Sequence, residues 1–240
     1  MSALVIITGA SSGLGLALAR TVPFPAKVVD VSRSGSAEGD DIDHLTADLS
    51  RPADWDVVGR ELGHLLSELR PGRVVFIHAA GTLTPIGFAG EVETDAYTSN
   101  VLLNSAAGQV LGHLFLTAID GHDLEADLVM ITSGAASKAY AGWSSYGAGK
   151  AALDQWVRTV GLEQEARGAT RVSAIAPGVL ATPMQAEIRH TAEQDFPTVA
   201  RFRRFHEEDQ LVEPEQAACR IWRLIEDGID TGSVLDIREV

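Results

Sequence analysis

Short apolar runs alternate with longer stretches of helical periodicity along this chain. The apolar runs fall at residues 4–7, 27–31, 74–78, 128–133, 172–176 and 234–237, with a weaker strand-like piece at 45–49. Runs this short, bounded by glycine, proline or small polar residues, read as strands. They lack a regular apolar–polar alternation, as strands buried on both faces do. Between them, residues 52–69, 95–119 and 145–166 read as helices. Ala148, Ala151, Ala152, Trp156 and Val160 form the apolar stripe of the last. A first helix ends near Arg20, before Pro23 and Pro25, which lack the N–H that a helix interior needs. A final helix starts at Glu213, with Pro214 suited to its first turn. Strands alternating with helices predict an α/β fold, a single Rossmann-type domain over residues 1–240. The expected sheet is parallel and doubly wound, with helices on both faces and ligands at the carboxyl ends of the strands.

Two segments break the alternation. Residues 32–43 are acidic and rich in Ser and Gly, and read as a loop. Residues 180–210 are charged and predict a mobile lid, although Met184, Ile188, Phe196, Phe202 and Phe205 lie within them. Those residues suit either a pocket for a hydrophobic or aromatic ligand or the packing of the lid onto the body. Trp143 is placed to line the same pocket.

Composition narrows the function. Hydrophobic residues make up 45% of the 240, enough for a sizeable core. The formal net charge of −14 argues against a nucleic-acid partner, whose binding needs clustered Lys and Arg. An anionic ligand must then be held by local features. Cys219 stands alone, so no intramolecular disulfide forms, and it reads as a small buried residue of a late helix. The chain passes from Met1-Ser2-Ala3 straight into a strand without a basic leader. No apolar run approaches the roughly 20 residues that span a bilayer. These features predict a cytoplasmic protein without membrane or metal.

The candidate chemistry begins where the first strand ends. Thr8-Gly9-Ala10-Ser11-Ser12-Gly13-Leu14-Gly15 joins a strand to a helix. Glycines there allow a tight turn and let backbone N–H groups reach a pyrophosphate at the positive end of the helix. Past the second strand, two readings compete. Asp30 stands at roughly the spacing of an acid that binds the adenosine ribose, which would select NAD. Ser32-Arg33 stands at the strand tip, where a guanidinium can grip a 2′-phosphate, which would select NADP. The latter is favoured, because Asp30 falls inside the apolar run.

Tyr146 and Lys150 are four residues apart on a predicted helix and share a face. An ammonium near a phenol favours the phenolate and lowers a pKa that is otherwise near 10. A phenol so tuned can give a proton to a carbonyl oxygen. Ser133 lies upstream, where its hydroxyl can steady a developing alkoxide.

The sequence resembles the short-chain dehydrogenase/reductase family along nearly its whole length. The likeness is carried by Thr8-Gly-x-x-x-Gly13-x-Gly15, Ser133 and Tyr146-x-x-x-Lys150 in order. It implies NADP as cofactor and a small-molecule carbonyl substrate. Ser133, Tyr146 and Lys150 would be catalytic, joined by Asn104 or, as the alternative, Asn100. It implies that Gly9, Ser11, Ser12, Gly13, Leu14 and Gly15 hold the phosphates, and that Asp48 and Leu49 meet the adenine. Ser32 and Arg33 would hold the ribose phosphate. Ala79, Ala80 and Gly81 would pass close to the cofactor, and Lys150 with Tyr146 would meet the nicotinamide ribose. Pro177, Gly178, Val179 and Thr182 would close over the nicotinamide. His78-Ala79 departs from the Asn pair usual in the family, and a side-chain bond at the sheet centre is expected to be lost. His78 itself is expected to be a packed strand-end residue.

The segment from Ala176 to Arg189 and the ending Gly232-Ser233-Val234-Leu235-Asp236-Ile237 resemble the sepiapterin reductase-like branch, which includes benzil reductases. That implies an aromatic or vicinal diketone-type substrate and a homodimer or homotetramer. An NAD-dependent alcohol dehydrogenase and a non-catalytic NADP-binding regulator remain as alternatives.

Overall fold

The computed structural model describes residues 3–36, 41–167 and 170–239. Residues 37–40 of the expected loop lie outside the described residues. Seven parallel strands form one sheet in the order β3-β2-β1-β4-β5-β6-β7. They are β1 (Ala3–Thr8), β2 (Ala26–Ser32), β3 (Asp43–Thr46), β4 (Arg73–His78), β5 (Glu125–Ile131), β6 (Thr170–Ala176) and β7 (Val234–Asp236).

Successive side chains leave a strand on opposite faces, so each strand feeds two cores. Leu4, Ile6, Val74 and Phe76 pack beneath α2 (Pro52–Leu69), α4 (Gly108–Ile119) and α5 (Ser144–Arg167). Val5, Ile7, Val75 and Ile77 pack beneath α1 (Gly13–Arg20) and α8 (Pro214–Asp227). With both faces covered, the strands need apolar residues throughout. The strand order reverses between β1 and β4, and a crevice opens at their carboxyl ends. At the opposite edge, buried Asp127 is gripped by Arg171 at 2.7 Å and Arg73 at 3.4 Å, tying β4, β5 and β6 together.

Several elements differ from the sequence reading. The helix expected at 95–119 is a rod of three pieces: α3 (Thr94–Val101), a π-helical turn (Leu102–Ala107) and α4. By length and composition this 26-residue rod could cross a bilayer, contrary to the expectation. Its inner face is instead packed on the sheet through Ala107, Leu111 and Phe115, as a core helix is. The strand-like piece at 45–49 is shifted to β3, and Ala47 to Leu49 continue into the crevice. β5 stops at Ile131, so Ser133 lies beyond the strand and caps the short 3-10 turn Gly134–Ala136.

The charged lid is ordered. It contains α6 (Pro183–His190) and α7 (Val199–Glu207). Its two ends meet where Leu180 pairs with Val212, and the Val212 N–H donates to the Val179 carbonyl at 3.0 Å. Most of its charges face outward, Glu187 and Arg201 excepted, while Ile188, Phe196, Val199 and Phe202 are buried against Trp143. Cys219 is exposed rather than buried. α8 buries Ala217, Ala218, Ile221, Trp222 and Ile225, which turns position 219 outward.

Candidate active site

The glycine loop is shaped by close backbone approach. Gly9 adopts φ +74°, and a Cβ there would lie 2.8 Å from the Ala80 Cα. A Cβ on Gly15 would lie 2.2 Å from the Gly9 carbonyl oxygen. The Ser12 side chain makes no capping bond, which leaves the first N–H groups of α1 open to an anion.

Asp30 fastens this loop from below. It is fully buried, its Oδ1 accepts the Ala10 N–H at 2.8 Å and its Oδ2 accepts the Ser32 hydroxyl at 2.6 Å. Burial raises its pKa against those two bonds. Both oxygens are thus engaged within the fold, and Asp30 does not line the cleft. The Ser32 hydroxyl also accepts the Gly35 N–H at 3.1 Å, whereas Arg33 is exposed at the rim. Asp48 faces the same rim and accepts the Ser50 hydroxyl at 2.7 Å. Burial works against the Asp48 carboxylate, but the Ser50 bonds and the Arg33 and Arg51 charges leave its pKa below the usual value.

At the sheet centre, His78 is fully buried and its Nδ1 lies 2.9 Å from the Thr8 hydroxyl. That hydroxyl also accepts the Ala80 N–H at 3.1 Å. Thr8 and His78 thus make a buried side-chain bond of their own at the sheet centre. Burial, aided by the Lys150 charge, pushes the His78 pKa down to about 3. The imidazole is neutral at working pH.

Tyr146 and Lys150 stand on successive turns of α5, both buried. The Lys150 Nζ donates to the Ile131 carbonyl at 2.8 Å and lies 5.9 Å from the Tyr146 ring centre. Burial lowers the Lys150 pKa to about 8, with Asp154 one turn on opposing the drop. Burial also raises the Tyr146 pKa, and a hydrogen bond with Ser133 pulls it back in part. Lys150 contributes no lowering, contrary to the expectation: its Nζ bonds the Ile131 carbonyl and burial sets the direction. A raised pKa keeps the phenol protonated, the form that a proton donor needs.

Asn104 sits in the π-helical turn and is fully buried. Its Oδ1 accepts the Thr82 N–H at 3.0 Å, and its Nδ2 donates to the Thr82 carbonyl at 2.7 Å. A Cβ on Gly81 would lie 3.0 Å from the Asn104 Oδ1 and 3.5 Å from the Lys150 Nζ, so Gly81 lets the two groups converge. Thr182 caps α6, its hydroxyl accepting the Gln185 N–H at 3.4 Å, and its methyl faces Gly13. The segment after β6 thereby closes over the glycine loop.

The site residues that the sequence singled out, except Asn104, line one cleft of about 650 Å³, while Thr8, Asp30 and His78 are buried behind it. Asn104 stands behind its wall at Gly81 and Thr82. At one end are the glycine loop, Arg33 and Asp48; at the other are Ser133 and Tyr146 beneath an aromatic wall. Trp143 stacks on Phe196 at 4.4 Å and meets Tyr146 edge-on at 5.5 Å. The volume, the open N–H groups and the close-approach glycines fit a dinucleotide. The cleft also takes in Thr84, Lys138, Glu187, Arg201 and Arg238, which the sequence reading did not single out. Arg238 reaches the site beside Gly134 and Gly178 and pairs with Asp236. Nothing in the sequence separates these charges from a solvated surface.

Residues 3–193 match the family described as short chain dehydrogenase. The chain belongs to the short chain dehydrogenase family. This short chain dehydrogenase is 35% identical over 243 residues to the benzil reductase ((S)-benzoin forming) of Bacillus subtilis (strain 168), with 98% of each chain covered. It is 28% identical to the sepiapterin reductase of Rattus norvegicus over 258 residues, 99% of this chain and 97% of the relative. Among solved structures, the KRED1-Pglu enzyme superposes with a TM-score of 0.82 at 27% identity, over 96% of this chain and 99% of that one. It is an oxidoreductase, of a family that uses NAD(P)(H).

Proposed function

We propose that this short chain dehydrogenase is an NADPH-dependent carbonyl reductase for aromatic ketones, vicinal diketones foremost. The observation that carries the reading is the convergence of Ser133, Tyr146 and Lys150 on one cleft, beneath an aromatic wall of Trp143 and Phe202. The benzil reductase of Bacillus subtilis supports the substrate class by its name and its full-length likeness. NADPH is supported by two placements: Asp30 is buried under the loop, and Arg33 is exposed at the cleft rim.

In this reading Ser133 holds the substrate carbonyl and Tyr146 gives its phenolic proton to the carbonyl oxygen. Bound NADPH supplies the hydride that the carbonyl carbon receives. Lys150 meets the nicotinamide ribose, and Asn104 steadies the wall at Gly81 and Thr82. Gly9, Ser11, Ser12, Gly13, Leu14 and Gly15 hold the phosphates. Ser32 and Arg33 take the 2′-phosphate, and Asp48 with Leu49 takes the adenine. Ala79, Ala80 and Gly81 flank the ribose, and Pro177, Gly178, Val179 and Thr182 hold the carboxamide.

The aromatic wall favours flat apolar groups beside the reacting carbonyl. Pairing into a homodimer or homotetramer and a cytoplasmic location are proposed with this reading. The test is NADPH oxidation over a panel of aromatic diketones, pterins, quinones and ketosteroids. Turnover is expected to be fastest with the diketones. NADPH binding without turnover of any panel member would instead favour a regulator.

A further inference from the structure

Asn100 is fully buried one helical turn before Asn104. Its Nδ2 donates to two carbonyls, Thr84 at 2.9 Å and Thr82 at 3.3 Å. A carbonyl only accepts, so the amide nitrogen must face them and Oδ1 must point the other way. That oxygen accepts the Asn104 Nδ2 at 2.8 Å. The Asn104 amide is then fixed in turn, with Nδ2 toward Asn100 and the Thr82 carbonyl, and Oδ1 toward the Thr82 N–H. A flipped Asn104 would set oxygen against oxygen at Asn100 and at Thr82. Buried polar groups opposed in this way are destabilising, so the flipped amide is excluded.

The ladder has a second end. The Thr84 hydroxyl donates to Glu187 on α6 at 2.6 Å. The strip from Thr82 to Thr84 is therefore held by Asn100 from behind and joined to the lid in front. Gly81, next to that strip, is where the Asn104 Oδ1 and the Lys150 Nζ come together.

We propose that Asn100 is a positioning residue for the reduction: it sets the Asn104 amide and the Thr82–Thr84 wall of the substrate end of the cleft, without itself reaching the cleft. The inference rests on the carbonyl reductase reading. It separates Asn100 from Asn104, two residues that the sequence offered as alternatives for one role.

The test is a double-mutant cycle with benzil and NADPH. Asn100→Leu removes donor and acceptor, Asn100→Ser keeps one small hydroxyl that can donate or accept, and Asn104→Ala removes the group that is positioned. Asn100→Leu is expected to lower kcat by at least tenfold while the NADPH Kd stays within twofold. Adding it to Asn104→Ala should cost less than a further twofold, because the second residue acts through the first. Asn100→Ser should fall between Asn100→Leu and wild type, and it carries the cycle if Asn100→Leu does not fold. Losses that multiply, or a kcat within twofold of wild type, would overturn the inference.

A readout free of turnover accompanies it. In 15N-labelled wild-type protein, the Asn104 side-chain amide protons should exchange slowly with solvent, and Asn100→Leu should speed that exchange at least tenfold. Unchanged exchange overturns the positioning role. Wild-type protein that shows the protected amide yet turns over no ketone overturns the carbonyl reductase reading alone.

Discussion

Tyr146 and His78 show how burial, more than pairing, sets the charge state of this site. Tyr146→Phe keeps the ring that packs on Trp143 and deletes only the proton. The expected result is a loss of 10²-fold or more in kcat with NADPH binding kept within threefold, read by steady-state kinetics and fluorescence titration. Retained turnover would remove Tyr146 as the donor. His78 makes a prediction about stability. Its pKa lies near 3 in the fold and near 6.5 when unfolded. The folded value is depressed, so the unfolded chain takes up the proton first as pH falls. Stability is therefore full above about 6.5 and is lost progressively toward pH 3, by several kcal/mol from this group. His78→Asn should flatten the decline in urea midpoint between pH 7 and pH 5, and an unaltered slope would contradict the buried neutral imidazole. At this scale the sequence was a good guide to residue types but not to environment. It showed Tyr146, Lys150 and Ser133 by spacing, yet the Lys150 bond to Ile131 and the Asp30 bonds under the loop depend on contacts that are distant along the chain or turned inward.

At the scale of elements, the strands and long helices were legible because burial on two faces and helical periodicity both leave patterns in composition. The lid was not. Its charges masked the inner stripe of Ile188, Phe196, Val199 and Phe202, which reads as a helix face only once Trp143 supplies a surface to pack against. The π-helical turn at Leu102–Ala107 was likewise illegible, since its wider turn follows the bonds of Asn104 to Thr82 rather than any propensity of Leu, Ser or Ala. Phe196 is the centre of the lid, fully buried and stacked on Trp143. Phe196→Ala should cost about 3–5 kcal/mol if the lid unfolds with the body, since it empties a packed aromatic site. Because Phe196 lies behind Trp143, which lines the cleft, its loss should also raise KM for aromatic diketones about tenfold and leave NADPH affinity within twofold. A changed NADPH affinity with an unchanged KM would show that the wall does not serve the substrate.

The whole molecule places an acidic surface around a cofactor cleft. With a net charge of −14, the chain offers a dinucleotide no general attraction, so selectivity falls to local groups. The glycine loop and the end of α1 would take the pyrophosphate of either nucleotide. Arg33 is what would distinguish a 2′-phosphate, because Asp30, the group that would have favoured a free ribose, is spent on Ala10 and Ser32. The most direct measurement is kcat/KM for benzil reduction with NADPH and with NADH, in wild type and in Arg33→Ala. Wild type should prefer NADPH by at least tenfold, and Arg33→Ala should erase most of that preference through the NADPH KM while NADH turnover stays unchanged. Equal or better use of NADH by the wild type, or a preference untouched by Arg33→Ala, would contradict the account.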